Sequence, residues 1–265
     1  MGALLTAREL SKSYRVGKGN DVSVLRSVNL DIQPGEFVSV MGPSGSGKST
    51  LLYNICGMDR MTSGSVLFRD RELAGLSEKE LAELRLSAMG FIFQQIHLLS
   101  NLTIGDNIIL SGYLAGGRRR SAVDDRAQEL MELTGISHLA RNAVTQASGG
   151  QLQRVGICRA LINEPDILFA DEPTGALDSK SAAEIMDLLQ EIHRRGTTIM
   201  LVTHDIKVAS RSERVLFMMD GRITAEKQLG PAGAIRVAGS GVGGNGTAAR
   251  AREEELTGWL IEQGL

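Results

Sequence analysis

The sequence predicts an α/β fold with a mostly parallel sheet, an N-terminal antiparallel β-subdomain and an inserted α-helical subdomain. Three observations carry this expectation. The apolar run Phe37-Val38-Ser39-Val40-Met41 leads through a glycine-rich turn into the helix-compatible Leu51-Leu52-Tyr53-Asn54-Ile55. From residue 166 to residue 210, strand-like and helix-like segments alternate, the pattern of parallel β-α-β units. Residues from about 95 to 165, lying between, read as mostly helical, with Ala127, Leu130, Met131 and Leu133 near one helical face.

Taken in order, residues 3–40 hold short β-like runs at 4–5, 22–25, 28–32 and 37–40, punctuated by Gly17-Lys18-Gly19-Asn20 and Pro34-Gly35. Gly64-Ser65-Val66-Leu67-Phe68 reads as a further strand. Ser77 followed by Glu80 has the spacing of a capping box opening a helix. The basic run Gly116-Gly117-Arg118-Arg119-Arg120 reads as a solvated loop between helices. Residues 166–170 form a strand, 179–194 a helix, 197–202 a strand and 206–210 a helix. The runs 216–219 and 223–224 then flank Asp220-Gly221-Arg222 as a hairpin. Residues 1–229 thus make one domain, the glycine-rich stretch 230–247 a linker, and 248–265 an amphipathic C-terminal helix. Its Leu256, Trp259 and Leu260 share one face, suited equally to the parent domain or to a partner.

Composition narrows the function. The 265 residues are 42% hydrophobic, enough for a substantial core. A net charge of −2 gives no support to nucleic acid as a partner. The two cysteines, Cys56 and Cys158, lie in apolar segments, as buried reduced thiols do. No apolar stretch approaches the ~20 residues that span a bilayer, and no secretion signal opens the chain, so a cytosolic location is expected unless something holds it at a membrane. Thr6 completes the spacing of an N-myristoylation site, but no polybasic neighbour accompanies it.

Gly42-Pro43-Ser44-Gly45-Ser46-Gly47-Lys48-Ser49-Thr50 has the Gly-x-x-x-x-Gly-Lys-Ser form of a phosphate-binding loop between a strand and a helix, which specifies a P-loop NTPase core. Its glycines turn backbone N–H groups inward, and the helix start faces an anion. Lys48 can reach the β- and γ-phosphates, Ser49 can offer its hydroxyl to Mg²⁺, and Thr50 stands where a hydroxyl meets the α-phosphate. Further on, Ile167-Leu168-Phe169-Ala170 ends in Asp171, suited to hold Mg²⁺ through water, and Glu172, suited to polarise the attacking water. Ala147-Ser148-Gly149-Gly150-Gln151 opens the helical run 152–161 as a second anion cradle. One active site has no use for two cradles; the economical explanation is that the second closes over the nucleotide of another subunit.

With these motifs in this order, the chain resembles the ATP-binding subunits of ABC transporters over about residues 3–228. The resemblance implies that Tyr14 stacks on adenine, that Gln94 touches Mg²⁺ and senses the permease, and that Ser148, Gly149, Gly150 and Gln151 form the signature. It further implies that Ala176-Leu177-Asp178 is the loop crossing the dimer and that His204 contacts the γ-phosphate and the attacking water. The signature departs from the usual wording at Ala147, where Leu is common, and Leu152, where Gln is common. The segments 171–178 and 91–99, with the tail 254–260, look like the group serving lipoprotein release, macrolide export and antimicrobial-peptide resistance. Members of that group are similar in powering an integral membrane permease with a large extracytoplasmic domain. The resemblance therefore implies an ATPase using ATP and Mg²⁺, a homodimer when ATP is bound, and a place at the cytoplasmic face of the membrane. A non-transport relative that regulates cell-wall enzymes through a membrane partner would share these motifs; a soluble kinase would leave the signature unexplained.

Overall fold

The computed structural model of the chain describes residues 2–17, 19–231 and 244–264. In chain order its first elements are β1 (Leu5–Val16), β2 (Asn20–Ile32), β3 (Phe37–Met41), α1 (Lys48–Ile55), β4 (Ser63–Phe68), β5 (Arg71–Glu72), α2 (Glu78–Ala88), β6 (Met89–Phe93) and α3 (Ile104–Ala115). There follow α4 (Arg120–Leu133), α5 (Gly149–Leu161), β7 (Ile167–Asp171), α6 (Ser179–Arg194), β8 (Thr198–Val202), α7 (Ile206–Ala209), β9 (Arg214–Met219), β10 (Arg222–Gln228) and α8 (Gly244–Glu262). The chain divides into two compact units, residues 1–76 with 200–265 and residues 77–199.

In the first unit, β2, β1, β4 and β5 form an antiparallel sheet in that order. The sequence runs 22–25 and 28–32 belong to one strand, β2. What separates them is a bulge at Ser27, whose backbone turns left-handed at φ 51°. A second sheet runs β10, β9, β3, β8, with β3 parallel to β9 from Val38↔Arg214 to Met41↔Phe217. Both β3 and β8 are buried at every position, which is why they read as continuous apolar runs rather than alternating ones. Asp220 and Gly221, at φ 48° and 77°, make the two-residue hairpin turn between β9 and β10.

The second unit pairs β6 parallel to β7, from Met89↔Ile167 to Phe93↔Asp171. Around this pair stand α2, opened by the Ser77–Glu80 capping box, α3, opened by a second such box between Thr103 and Asp106, and α4, α5 and α6. Helix α6 buries Ile185, Met186, Leu188, Leu189 and Ile192 along one stripe. Strand β6 escaped the periodicity argument, because five residues carrying Gly90 and two phenylalanines offer too little pattern to separate strand from helix. Arg118 and Arg119, between α3 and α4, and Arg120, the first residue of α4, are exposed, and Arg118 meets Glu164 at 2.6 Å. Both cysteines are buried and unbridged, and burial pushes the Cys158 thiol up to about 12.

Helix α8 packs on the first unit. Leu256 and Leu260 are buried with Met41, Ala209, Val215 and Phe217, and the Trp259 ring meets Phe217 edge-on at 6.3 Å. Arg252, 4% exposed, donates to the carbonyls of Ser210 (2.8 Å), Ser212 (2.5 Å), Leu229 (3.0 Å) and Gly230 (3.1 Å). A buried guanidinium is tolerated there because carbonyls just past the ends of α7 and β10 supply partial negative charge to it. Of the expected linker, residues 232–243 lie outside the described residues; the helix itself begins at Gly244. Among the described residues, no helix is long and apolar enough to cross a membrane. Leu256→Ala should cost about 2–4 kcal/mol of stability by the cavity it leaves, read as a lower urea midpoint; an unchanged midpoint would show that α8 is not part of the cooperative fold.

Candidate functional site

The first unit carries the phosphate loop at the C-terminal end of β3. The loop is shaped by two close approaches. A Cβ at Gly42 would lie 2.0 Å from the Met218 carbonyl oxygen, and Gly47, the N-cap of α1 at φ 100°, would set one 3.0 Å from the Val24 carbonyl oxygen. Ser46 N–H donates to Pro43 O at 3.3 Å, and Gly221 N–H, from the hairpin turn, donates to Ser46 O at 3.0 Å. Lys48 Nζ bends back over the loop to Gly42 O and Pro43 O, both at 2.9 Å. Pro43, Ser44 and Gly45 are exposed, so the tip of the loop faces outward, while Ser49 and Thr50 are half-buried in the first turn of α1. Ser46 Oγ is buried without a hydrogen-bond partner. Such a cradle, with a lysine, hydroxyls and a helix start of eight residues, fits a polyphosphate.

Two more expected residues lie in this unit. Thr203 N–H donates to Val40 O at 3.1 Å, so the exposed His204 leaves β8 level with the start of the loop. Tyr14, near the end of β1, is 40% exposed; its hydroxyl donates to Asp59 Oδ2 at 2.6 Å and also hydrogen-bonds the Thr50 side chain.

The second unit brings together Gln94, Asp171 and Glu172. Because Phe93 pairs in parallel register with Asp171, Gln94 and Glu172 are the next residues along adjacent strands, at their C-terminal ends, where open α/β sheets bind ligands. A Cβ at Gly175 would lie 2.8 Å from Gln94 Nε2, which places the amide against the turn that follows Glu172. Glu172 holds φ 47°, and its carbonyl accepts from Gly175 N–H at 3.1 Å. A left-handed glutamate costs about 1–3 kcal/mol, a strain that tertiary structure maintains chiefly at functional positions.

Ser148, Gly149, Gly150 and Gln151 form the first turn of α5 in the same unit. Ser148 N–H donates to Gln151 Oε1 at 2.8 Å and Ser148 Oγ accepts from Gln151 N–H at 3.3 Å, a capping box that leaves Ser148 and Gly149 exposed. Gly150 faces the Ser181 side chain and Gly149 faces Leu177, so this turn lies beside the 176–178 segment. Asp178 itself caps α6, accepting from Lys180 N–H and Ser181 N–H at 3.0 Å each and from Ser181 Oγ at 2.6 Å. The Ser181 hydroxyl first, then the backbone donors, hold its carboxyl below the usual range.

Sequence reasoning missed the side chains that hold these segments. Arg159 of α5 donates to Ile96 O at 2.5 Å and His97 O at 3.0 Å, Gln153 to Phe93 O at 3.4 Å, and Asn107 of α3 both donates to and accepts from Leu99 backbone. These contacts clamp the loop after Gln94 from two helices. Arg159 and Gln153 lie some sixty positions from the carbonyls they bind, so no local signal could have named them, and Asn107, eight positions from Leu99, carries no motif that marks it.

The family described as ABC transporter matches residues 25–175, more than half of the chain. The chain is 43% identical over 224 residues to the lipoprotein-releasing system ATP-binding protein LolD 1 of Rhodopseudomonas palustris, covering 84% of this chain and 99% of that protein. It is 42% identical over 257 residues to the macrolide export ATP-binding/permease protein MacB of Hahella chejuensis, covering 97% of this chain and 39% of that longer protein. Among solved structures, the dimeric structure of MJ0796, a bacterial ABC transporter cassette, matches at TM-score 0.79 and 40% identity, over 85% of this chain and 98% of that one. A dimeric post-hydrolysis state of MJ0796 bound to ADP and Pi matches at TM-score 0.78. Motifs, fold and these likenesses together show that the chain belongs to the ABC transporter family, as an ATP-binding cassette that hydrolyses ATP.

Proposed function

We propose that two copies of the chain sandwich two MgATP and thereby drive a separate membrane permease that exports or extracts an amphipathic substrate such as a lipoprotein, a macrolide or an antimicrobial peptide. Each nucleotide is gripped by the loop 42–50 of one copy and by Ser148, Gly149, Gly150 and Gln151 of the other. The likeness to a lipoprotein-releasing ATP-binding protein, to a macrolide export ATP-binding/permease protein and to dimeric cassettes supports this reading. The chain's place is then the cytoplasmic face, held by a permease whose large extracytoplasmic domain selects the cargo.

Among the described residues, no three His, Cys, Asp or Glu side chains gather into a metal cage. That suits Mg²⁺, which is usually held by one or two carboxylates, waters and substrate phosphates. Ser49 of the first unit, and Asp171 and Gln94 of the second, are the residues that would offer oxygens to the ion, which when bound would neutralise charge developing on the phosphate oxygens. Lys48 leaves the carbonyls of Gly42 and Pro43 for the β- and γ-phosphates. Glu172 takes up the proton side of the attacking water, and His204 orients that water and the γ-phosphate. Binding drives the permease only if ATP prefers the closed pair of cassettes over the open one.

The observation that carries the catalytic part is Glu172, left-handed at the end of a buried strand beside Gln94. Glu172→Gln should retain ATP binding while lowering turnover about 10²–10⁴-fold and trapping a dimer visible by light scattering; undiminished hydrolysis would remove Glu172 as the base. Lys48→Ala should weaken binding of a fluorescent ATP analogue about tenfold or more, the worth of a charge-assisted contact; unchanged affinity would refute the role given to the loop. Co-purification with an identified permease from detergent-solubilised membranes supports transport, whereas recovery with a cell-wall hydrolase regulator instead would favour the non-transport reading.

A further inference from the structure

Tyr14 is held from two sides by residues that no motif includes. Asp59, in the turn after α1, accepts the Tyr14 hydroxyl at Oδ2 (2.6 Å) and the Lys12 ammonium at Oδ1 (2.7 Å). Lys12, 8% exposed, also donates to Arg60 O at 2.6 Å and sits 4.6 Å from the centroid of the Tyr14 ring, over one of its faces. The carboxylate therefore holds the ring at its tip and the ammonium sits over one face, while the residue stays 40% exposed. Two χ angles that would otherwise be ordered on binding are already set, and a cation on one face draws π density from the other, which favours stacking of an electron-rich purine there.

We infer that Asp59 and Lys12 are positioning residues for the nucleotide base: they hold the Tyr14 ring in the plane on which adenine stacks, and so tune affinity for the base without touching the phosphates. This rests on the reading of Tyr14 as the adenine platform. Protonation does not disturb the arrangement near neutral pH. Burial raises the Asp59 carboxyl, but the hydrogen bonds from Lys12 and Tyr14 outweigh it and leave the group below its ordinary value; burial, followed by the Asp59 hydrogen bond, raises the Tyr14 phenol. Acceptor and donor thus keep their roles.

The test compares ATP with inorganic tripolyphosphate, which carries the charges and no base, by calorimetric titration of the full chain with Mg²⁺. Tyr14→Ala should weaken ATP about 5- to 100-fold, the range of base–aromatic stacking, and leave tripolyphosphate unchanged. Asp59→Ala should weaken ATP about two- to tenfold, the cost of ordering one freed side chain, again without effect on tripolyphosphate, and raise KM for ATP with kcat unchanged. Asp59→Asn, which keeps an oxygen for the phenol, should recover most of the loss. Tyr14→Phe, which removes the hydroxyl's bonds to Asp59 and Thr50 but disturbs no ion pair, should likewise weaken ATP more than tripolyphosphate if Asp59→Ala fails to fold. Should Tyr14→Ala prove selective for ATP while Asp59→Ala and Tyr14→Phe change nothing, or change both ligands equally, the positioning role falls and the stacking reading stands. An unselective Tyr14→Ala would bring down the stacking reading and this inference with it.

Discussion

A side chain at position 42 would drive its Cβ to 2.0 Å from the carbonyl oxygen of Met218, so the turn out of β3 can be made only by glycine. That approach follows from β3 and β9 lying parallel, with Met41 opposite Phe217 and Gly42 the next residue on. The neighbouring hairpin turn then closes on the same loop. Gly221 N–H donates to Ser46 O, and Gly221 O accepts from Arg26 N–H, tying the loop, β2 and the β9–β10 hairpin into one hydrogen-bonded group. A loop so constrained has its backbone shape before any phosphate arrives, which lowers the reorganisation that binding requires. The direction of α1, the reach of Lys48 and the placing of Ser49 all follow from it.

The second unit solves a similar problem by other means. Glu172 and Gln94 are neighbours through strand register, and both lead into turns whose backbone must be held against strain: φ is 47° at Glu172 and 49° at His97. The Gln94 side answers with side-chain donors aimed at carbonyls. Arg159, its guanidinium drawn below the ordinary value by burial, is retained because it hydrogen-bonds two successive carbonyls of the strained loop. In the first unit glycine removes the clash; here hydrogen bonds hold the conformation.

The C-terminal helix shows how a sequence ambiguity is decided by partners. Leu256, Trp259 and Leu260 form a stripe that any apolar surface could accept, and the surface they meet is built from Met41, Ala209, Val215 and Phe217. Arg252 then seals the contact by collecting the carbonyl ends of the 210–212 turn and the 229–230 segment. Met41 directly precedes the phosphate loop, and Ala209 closes the short helix that begins two residues after His204. The helix therefore buttresses both segments from behind.

What the sequence determined by itself was whatever depends on neighbours along the chain. Glycine spacing in the phosphate loop, the apolar runs of β3, β7 and β8, the capping box at Ser77, the cradle that begins at Ser148, and the Asp220-Gly221 turn are all set within a few residues, where steric and hydrogen-bonding rules are strong. Strand β6 stayed hidden because it is short and mixed in composition, and the bulge at Ser27 read as a gap because a left-handed residue leaves no periodic mark. Tertiary structure alone decided that Gln94 stands beside Glu172, that Arg159 and Asn107 clamp the loop after it, that Asp59 holds Tyr14, and that α8 lies on its own unit. Each of these joins residues whose meeting depends on strand register or on packing between helices, and such contacts are chosen by the whole core at once rather than by any local segment.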